Sequence, residues 1–140
     1  MTTGVRVNVL DSRKIRTFLD DLDPKVRGAV VDQALESIAR LVEQRAKEVE
    51  IIRGRGRVSP PLRRKLSFRS GRLSGSISTD LSGRPNQFVV GSNVKYAPVH
   101  ELGLAPYPKR PFLRPAADFV METKAASVFR RALLRVGGRQ

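Results

Sequence analysis

Valine alternates with polar residues near the start of the chain, at every second position of residues 5–9. In an extended backbone this spacing places all the valines on one face, which predicts a strand with one buried side. Asp11 or Ser12 can then cap a short helix. The apolar residues of this helix, at helical spacing, are Ile15, Phe18, Leu19 and Leu22.

The most regular apolar pattern follows Asp23-Pro24. The Asp23 carboxylate can accept the free amides of a first helical turn, and proline is tolerated at the first helical position. Residues then recur at spacings of three and four, which predicts a long amphipathic helix to about residue 51. The residues of this stripe are Val26, Val30, Ala34, Ile38, Leu41, Arg45 and Val49.

The next segment is unsuited to a regular helix. Gly54 and Gly56 break the helical pattern, and residues before Pro60 and Pro61 avoid the helical region of backbone space. We therefore predict a basic arm or long loop at about residues 53–69.

A hairpin is predicted after this arm. Turn-forming residues occupy 70–75, and two short strands are indicated at 76–79 and 87–90. Residues 82–86 supply the turn chemistry between the strands, so the sheet is expected to be antiparallel.

Five prolines interrupt residues 92–115 and exclude a long regular element there. After Pro115 we predict a final helix, because acidic residues lie near its start and arginines near its end. Gly137-Gly138 is expected to end it. Its apolar residues are Phe119, Val120, Ala126, Phe129, Leu133 and Val136.

These elements predict an α+β fold in which the long helix and the C-terminal helix pack against a small, mainly antiparallel sheet. The basic loop extends from this assembly. A length of 140 residues fits one domain, expected over residues 1–140. Hydrophobic residues make up 40% and charged residues 29%, a balance that favours a globular protein over a disordered one.

Composition excludes several classes of site. The chain has no cysteine and one histidine, so disulfides, thiolate metal sites and His-pair zinc sites are excluded, and no cofactor is expected. Apolar runs are short and the first residues are polar, so we expect neither a membrane span nor a signal peptide. The protein is expected in the cytoplasm, or outside the cell only after lysis.

The net charge of +14 is unevenly distributed. Residues 53–72 carry eight basic and no acidic side chains, whereas residues 1–52 carry nine of each. Arginines on a flexible backbone can follow nucleic-acid phosphates and release counterions. A solvated loop, or a loop that docks on an acidic subunit, explains the pattern equally well. The residues predicted to contact DNA or a partner are Arg53, Arg55, Arg57, Arg63, Arg64 and Lys65.

His100-Glu101 and Asp80 are the candidates for acid-base chemistry. A nuclease needs several converging carboxylates to hold its metal ions, but most acidic residues of this chain lie along the N-terminal helices. We therefore expect a structural histidine in a proline-bounded turn, and a protein that is not an enzyme.

Three stretches, at residues 70–77, 90–103 and 110–116, together resemble the minor tail, virion-morphogenesis or tail-completion family of tailed phages. In sequence they read SGRLSGSI, VGSNVKYAPVHELG and RPFLRPA. The residues to which we assign a structural or interface role are Gly71, Leu73, Tyr96, Pro98, His100, Glu101, Gly103, Arg110, Pro111, Phe112, Leu113 and Pro115.

The resemblance implies a small virion subunit that forms a ring, expected to be hexameric, at the head-tail junction. Such a ring closes the tail tube, receives the filled head and contacts other neck, connector and tail-tube proteins. No catalytic activity is implied. Non-specific contact with genomic DNA is a further expectation, drawn from the basic charge. The alternative is a basic nucleic-acid-binding protein, which should bind duplex DNA with strong salt dependence as a free chain.

Within these motifs, residues 96–98 are expected to form a turn with Tyr96 as its aromatic anchor, and Gly103 is expected to end that turn. Residues 110–115 are expected to tie an extended segment to the sheet before the last helix.

Overall fold

The computed structural model of the protein has an α+β fold, as the sequence predicts. It combines helices with a small antiparallel sheet. The residues that the structure describes are 3–48, 51–52, 66–67, 72–83, 85–104 and 110–137.

The main sheet has three antiparallel strands, β1 (Thr3–Asn8), β4 (Ser78–Asp80) and β5 (Gln87–Ser92). Strand β5 lies in the middle, so the order is β1-β5-β4. Val5 lies opposite Val90, so side chains from two distant parts of the chain share one buried face. The predicted first strand and the predicted hairpin are therefore confirmed.

The first strand ends one residue earlier than predicted. Val9–Asp11 forms a 3₁₀ turn, which the side chain of Asn8 caps by accepting the amide of Leu10 at 2.9 Å. The short helix α1 (Arg13–Asp20) follows. Ser12 is its N-cap residue, but the predicted side-chain cap is wrong: only the Ser12 carbonyl takes part, accepting the amide of Arg16 at 3.0 Å.

The long helix α2 (Pro24–Glu48) begins as predicted. Asp23 Oδ1 accepts the amide of Lys25 at 2.9 Å, which caps the free end of the first turn. The helix does not reach residue 51, because β2 (Ile51–Ile52) is extended and pairs in parallel with β3 (Leu66–Ser67). The rest of the predicted arm, residues 53–65 and 68–69, lies outside the described residues.

Helix α2 is the centre of the core. Val30, Ala34, Ile38, Val42 and Ala46 recur every four residues and are all fully buried. They face the sheet and the C-terminal helices. Complete burial of a valine or isoleucine side chain stabilises the fold by about 1.5–3 kcal/mol.

One residue of the stripe predicted for α2 is polar. Arg45 lies with its guanidinium carbon 3.6 Å from the centroid of the Phe119 ring. A guanidinium over an aromatic face is attracted by the electron-rich ring, so a cation can occupy a position of this stripe.

The second half of the chain departs from prediction at two places. Residues 72–76 form a short helix, α3 (Arg72–Ser76), rather than a turn, because Leu73 is buried and the hydroxyl of Ser76 donates to its carbonyl at 2.6 Å. The single predicted C-terminal helix is two, α5 (Arg114–Thr123) and α6 (Ala125–Gly137), which are separated at Lys124.

The absence of a long element before α5 is confirmed. Between β5 and α5, the described residues 93–104 and 110–113 contain only the six-residue helix α4 (Ala97–Leu102). Among the helices that the structure describes, none combines the length and the apolar character needed to cross a bilayer.

Candidate functional site

Glu101 is a buried carboxylate, with 5% of its surface exposed, in the last turn of α4. Its Oε2 accepts the backbone amides of Phe112 at 2.8 Å and Leu113 at 3.0 Å. Its Oε1 accepts the amide of Arg114 at 3.0 Å. Three charge-assisted hydrogen bonds satisfy a carboxylate that would otherwise be costly to bury.

These three amides form the entry to helix α5. Leu113 is the N-cap residue of α5, and its own side chain cannot accept a hydrogen bond. Glu101 supplies the missing acceptor from another helix. Its negative charge also lies at the positive end of the α5 dipole, where an anion is stabilised.

The local sequence explains how α4 places this carboxylate. Pro98 lies in the first turn of α4, where its missing amide costs no helical bond. Gly103 ends the helix in the left-handed conformation, at φ 70°, and donates its amide to Val99 at 3.1 Å. Arg110 lies beside α4, because its amide donates to the carbonyl of His100 at 2.8 Å.

A second contact joins α3 to the end of β5. The hydroxyl oxygens of Ser76 and Ser92 lie 2.6 Å apart. Either hydroxyl can be the donor between the two serines, and the Ser76 hydroxyl also lies 2.6 Å from the carbonyl oxygen of Leu73. Ser92 is completely buried and its oxygen also accepts the amide of Val94 at 3.1 Å.

The three sequence stretches that resemble the phage family are therefore connected in space. The Ser76–Ser92 contact links the first to the second, and the Glu101–Phe112 bond links the second to the third. We call the set of these four residues with Gly103 the motif scaffold.

The other residues predicted to have a structural or interface role differ in burial. Leu73 and Leu113 are buried, whereas Arg110, Pro111 and Pro115 are partly buried. Gly71 lies outside the described residues. So do all six residues of the predicted DNA or partner contact, Arg53, Arg55, Arg57, Arg63, Arg64 and Lys65.

The prediction that Tyr96 anchors its turn is wrong. Tyr96 is 38% exposed, and Ala97 is the residue of that turn that enters the core. Tyr96 already has helical backbone angles at the N-cap of α4, and its ring stands edge-on to the partly buried His100 at a centroid distance of 6.1 Å.

The geometry does not favour a role for Glu101 or Asp80 in acid-base catalysis. Both oxygens of Glu101 are engaged by backbone amides. Asp80 is exposed and distant in sequence, and the hydroxyl of Ser82, together with the Ser82 amide, holds the pKa of its carboxyl below the usual value. Among the described residues, no group of three His, Asp or Glu side chains is arranged to hold a metal ion.

Sequence reasoning missed two parts of this site. It singled out Glu101, Phe112 and Leu113 but not the hydrogen bonds that join them. It singled out neither Ser76 nor Ser92. The available signal for Ser92 was its position at the end of an apolar strand, directly before the loop residues Asn93 and Val94.

Compared with known protein families, with curated proteins and with solved structures, the chain matches none of them.

Proposed function

We propose that this protein is a structural subunit of a tailed-phage particle, forming a ring at the head-tail junction. The observation that carries the proposal is the motif scaffold, in which all three family-like stretches meet through one buried and one partly buried hydrogen bond. Such bonds suit a part whose function is to hold a shape, because each polar group is engaged by the fold rather than offered to a substrate.

A closed ring needs two different surfaces on each subunit that fit one another. Leu102 and Leu104 flank Gly103 at the end of α4 and are 61% and 48% exposed. Neighbouring apolar side chains of this exposure favour contact with another protein. We therefore assign the end of α4 to the contact between ring subunits.

The proposal includes the basic arm because of its charge alone. We propose that residues 53–69 contact a neighbouring subunit, another virion ring or passing DNA. Reversing Arg53, Arg55 and Arg57 to glutamate should impair the joining of heads to tails while leaving the isolated chain folded. Normal joining by this variant would remove the arm from the mechanism.

The decisive experiment is electron microscopy of particles made after a nonsense mutation in this gene, beside a complemented control. A neck subunit predicts filled heads and separate tails, which complementation should convert to joined particles. Normally joined and infectious particles would overturn the proposal and place the nucleic-acid-binding alternative first.

A matched pair of variants tests the assigned surface. Leu102→Glu places a charge at the end of α4, whereas Leu81→Glu places one at an exposed site in the hairpin turn. If the end of α4 is the subunit contact, only the first variant should block ring formation and head-tail joining. Equal behaviour of the two variants would reject this surface.

A further inference from the structure

A basic groove of about 250 Å³ lies between helices α2 and α6, away from the motif scaffold. Gln33, Ser37 and Arg40 line it from α2, and Arg131 and Arg135 line it from α6. The side chains between these polar groups are small or apolar, so a ligand can approach the helices closely.

The positive charge of this groove is only weakly offset. Arg40 is bound to Glu36 one turn earlier on α2. Arg131 and Arg135 are exposed and form no ion pair with any residue that the structure describes. Helix α6 contains three arginines and no acidic residue.

The groove also contains an unsatisfied polar group. Across the described ranges, the side-chain oxygen of Gln33 is the buried polar atom that has no hydrogen-bond partner. A half-turn of the amide exchanges its oxygen for its nitrogen, so Gln33 can offer either an acceptor or two donors to a ligand.

The spacing of the two free guanidinium groups fits an extended anion. Arg131 and Arg135 are one helical turn apart, which puts their β-carbons about 5–6 Å from each other on one face. Each guanidinium can donate two parallel hydrogen bonds to the oxygens of one phosphate. A polyanion is further favoured by the net charge of +14.

We propose that the α2-α6 groove binds the phosphate backbone of duplex DNA, with Arg131 and Arg135 as its principal contacts. Phosphate contacts carry no base information, so this binding is independent of sequence. The inference rests on the proposed function, since a neck ring surrounds the path of the genome, and it names the surface that faces that path.

The test measures the affinity of the purified full-length chain for a fluorescent DNA duplex, by anisotropy, from about 50 to 200 mM salt. The groove variant carries Arg131→Gln and Arg135→Gln. The matched control carries Arg13→Gln and Arg16→Gln, which remove the same charge from exposed positions on α1. Arg13 lines a separate pocket, together with Asp11, Asp118 and Glu122.

We expect the groove variant to bind at least about tenfold more weakly than the control at low salt. Its plot of log affinity against log salt should become shallower by about two, since each lost phosphate contact removes about 0.9 from the slope. The loss should be equal for unrelated DNA sequences. Circular dichroism should match the unaltered chain, because arginine and glutamine have similar helix propensities.

A groove variant that binds DNA as the control does would overturn the inference, and so would a loss confined to particular sequences. Failure of the neck role is recognised separately, in the nonsense-mutant particles. Joined particles combined with weaker DNA binding by the groove variant would reject the neck ring while leaving the groove as a DNA site.

Discussion

Glu101 Oε2 lies 2.8 Å from the backbone nitrogen of Phe112 and thereby fixes the direction in which the chain enters helix α5. The bond crosses the proline-rich segment, whose two ends it brings together. Phe112 is fully buried directly beside this bond. The carboxylate therefore determines where a core aromatic residue is inserted.

We expect Glu101→Gln to lower the free energy of unfolding by about 2–3 kcal/mol. The substitution removes the charge and replaces one acceptor oxygen by a donor that opposes a backbone amide, and hydrogen bonds to charged groups are worth about 1.5–3 kcal/mol. Urea denaturation monitored by circular dichroism measures the change. Glu122→Gln, at an exposed position of α5, is the control and should stay within about 0.5 kcal/mol. A Glu101→Gln loss no larger than the control's would contradict the structural role.

Two glycines should respond to alanine with opposite signs. Gly103 has a φ of 70°, where a β-carbon is strained, so Gly103→Ala should destabilise the fold by about 1 kcal/mol. Gly28 lies within α2 with no atom within 4 Å of an added β-carbon, so Gly28→Ala should stabilise by about 0.5–1 kcal/mol. Thermal unfolding of both variants gives the comparison, and shifts of the same sign would refute it.

The stacking of Arg45 on Phe119 should be visible as a coupling energy. A double-mutant cycle with Arg45→Met and Phe119→Leu isolates the pair from the separate packing losses of each change. We expect a coupling of about 0.5–1 kcal/mol, the range for a partly exposed cation over an aromatic ring. Additive effects of the two substitutions would mean that the geometry contributes no net stability.

The hydroxyl of Ser82 should control the titration of Asp80. Because this hydroxyl is the main cause of the lowered pKa of Asp80, Ser82→Ala should raise that pKa toward its usual value, with the backbone amide keeping part of the shift. A carboxyl whose folded pKa is lowered adds stability above its unfolded pKa and loses it as the pH falls through the folded pKa. In the variant the carboxyl should therefore add less stability, and the loss should be complete at a higher pH than in the unaltered chain. Carbon-13 NMR of the Asp80 carboxyl measures the pKa, and an unchanged midpoint would contradict the assignment.

Local periodicity was sufficient to predict the elements that bury one continuous face. Helix α2 and strand β1 both follow their apolar spacing, since each repeats its burial over several turns or pleats. Helix α3 was missed because Ser74 and Gly75 have weak helix propensity, and the helix forms through the burial of Leu73. The interruption at Lys124 was missed because neither glycine nor proline marks it.

The contacts of the candidate site were harder to predict, because they join positions that no periodic pattern relates. Glu101 reaches its three amide partners across several prolines, and Ser76 reaches Ser92 across the whole hairpin. The pairing of Ile51 with Leu66 is similar, since it involves two residues on each side of a long segment. The sequence can mark each of these residues separately, but only the folded structure shows which of them are in contact.

The pairing of Val5 with Val90 also sets the order in which the chain can fold during its synthesis. In the three-stranded sheet β1 pairs with β5, which is synthesised much later. At about 5–20 residues per second, β1 therefore has no partner for several seconds during translation. Helix α2 can form in that interval from local bonds, but the open edge of β1 stays available for wrong partners. A translation product that stops before β5 therefore lacks the three-stranded sheet, and its exposed apolar residues make it a target for chaperones and proteases.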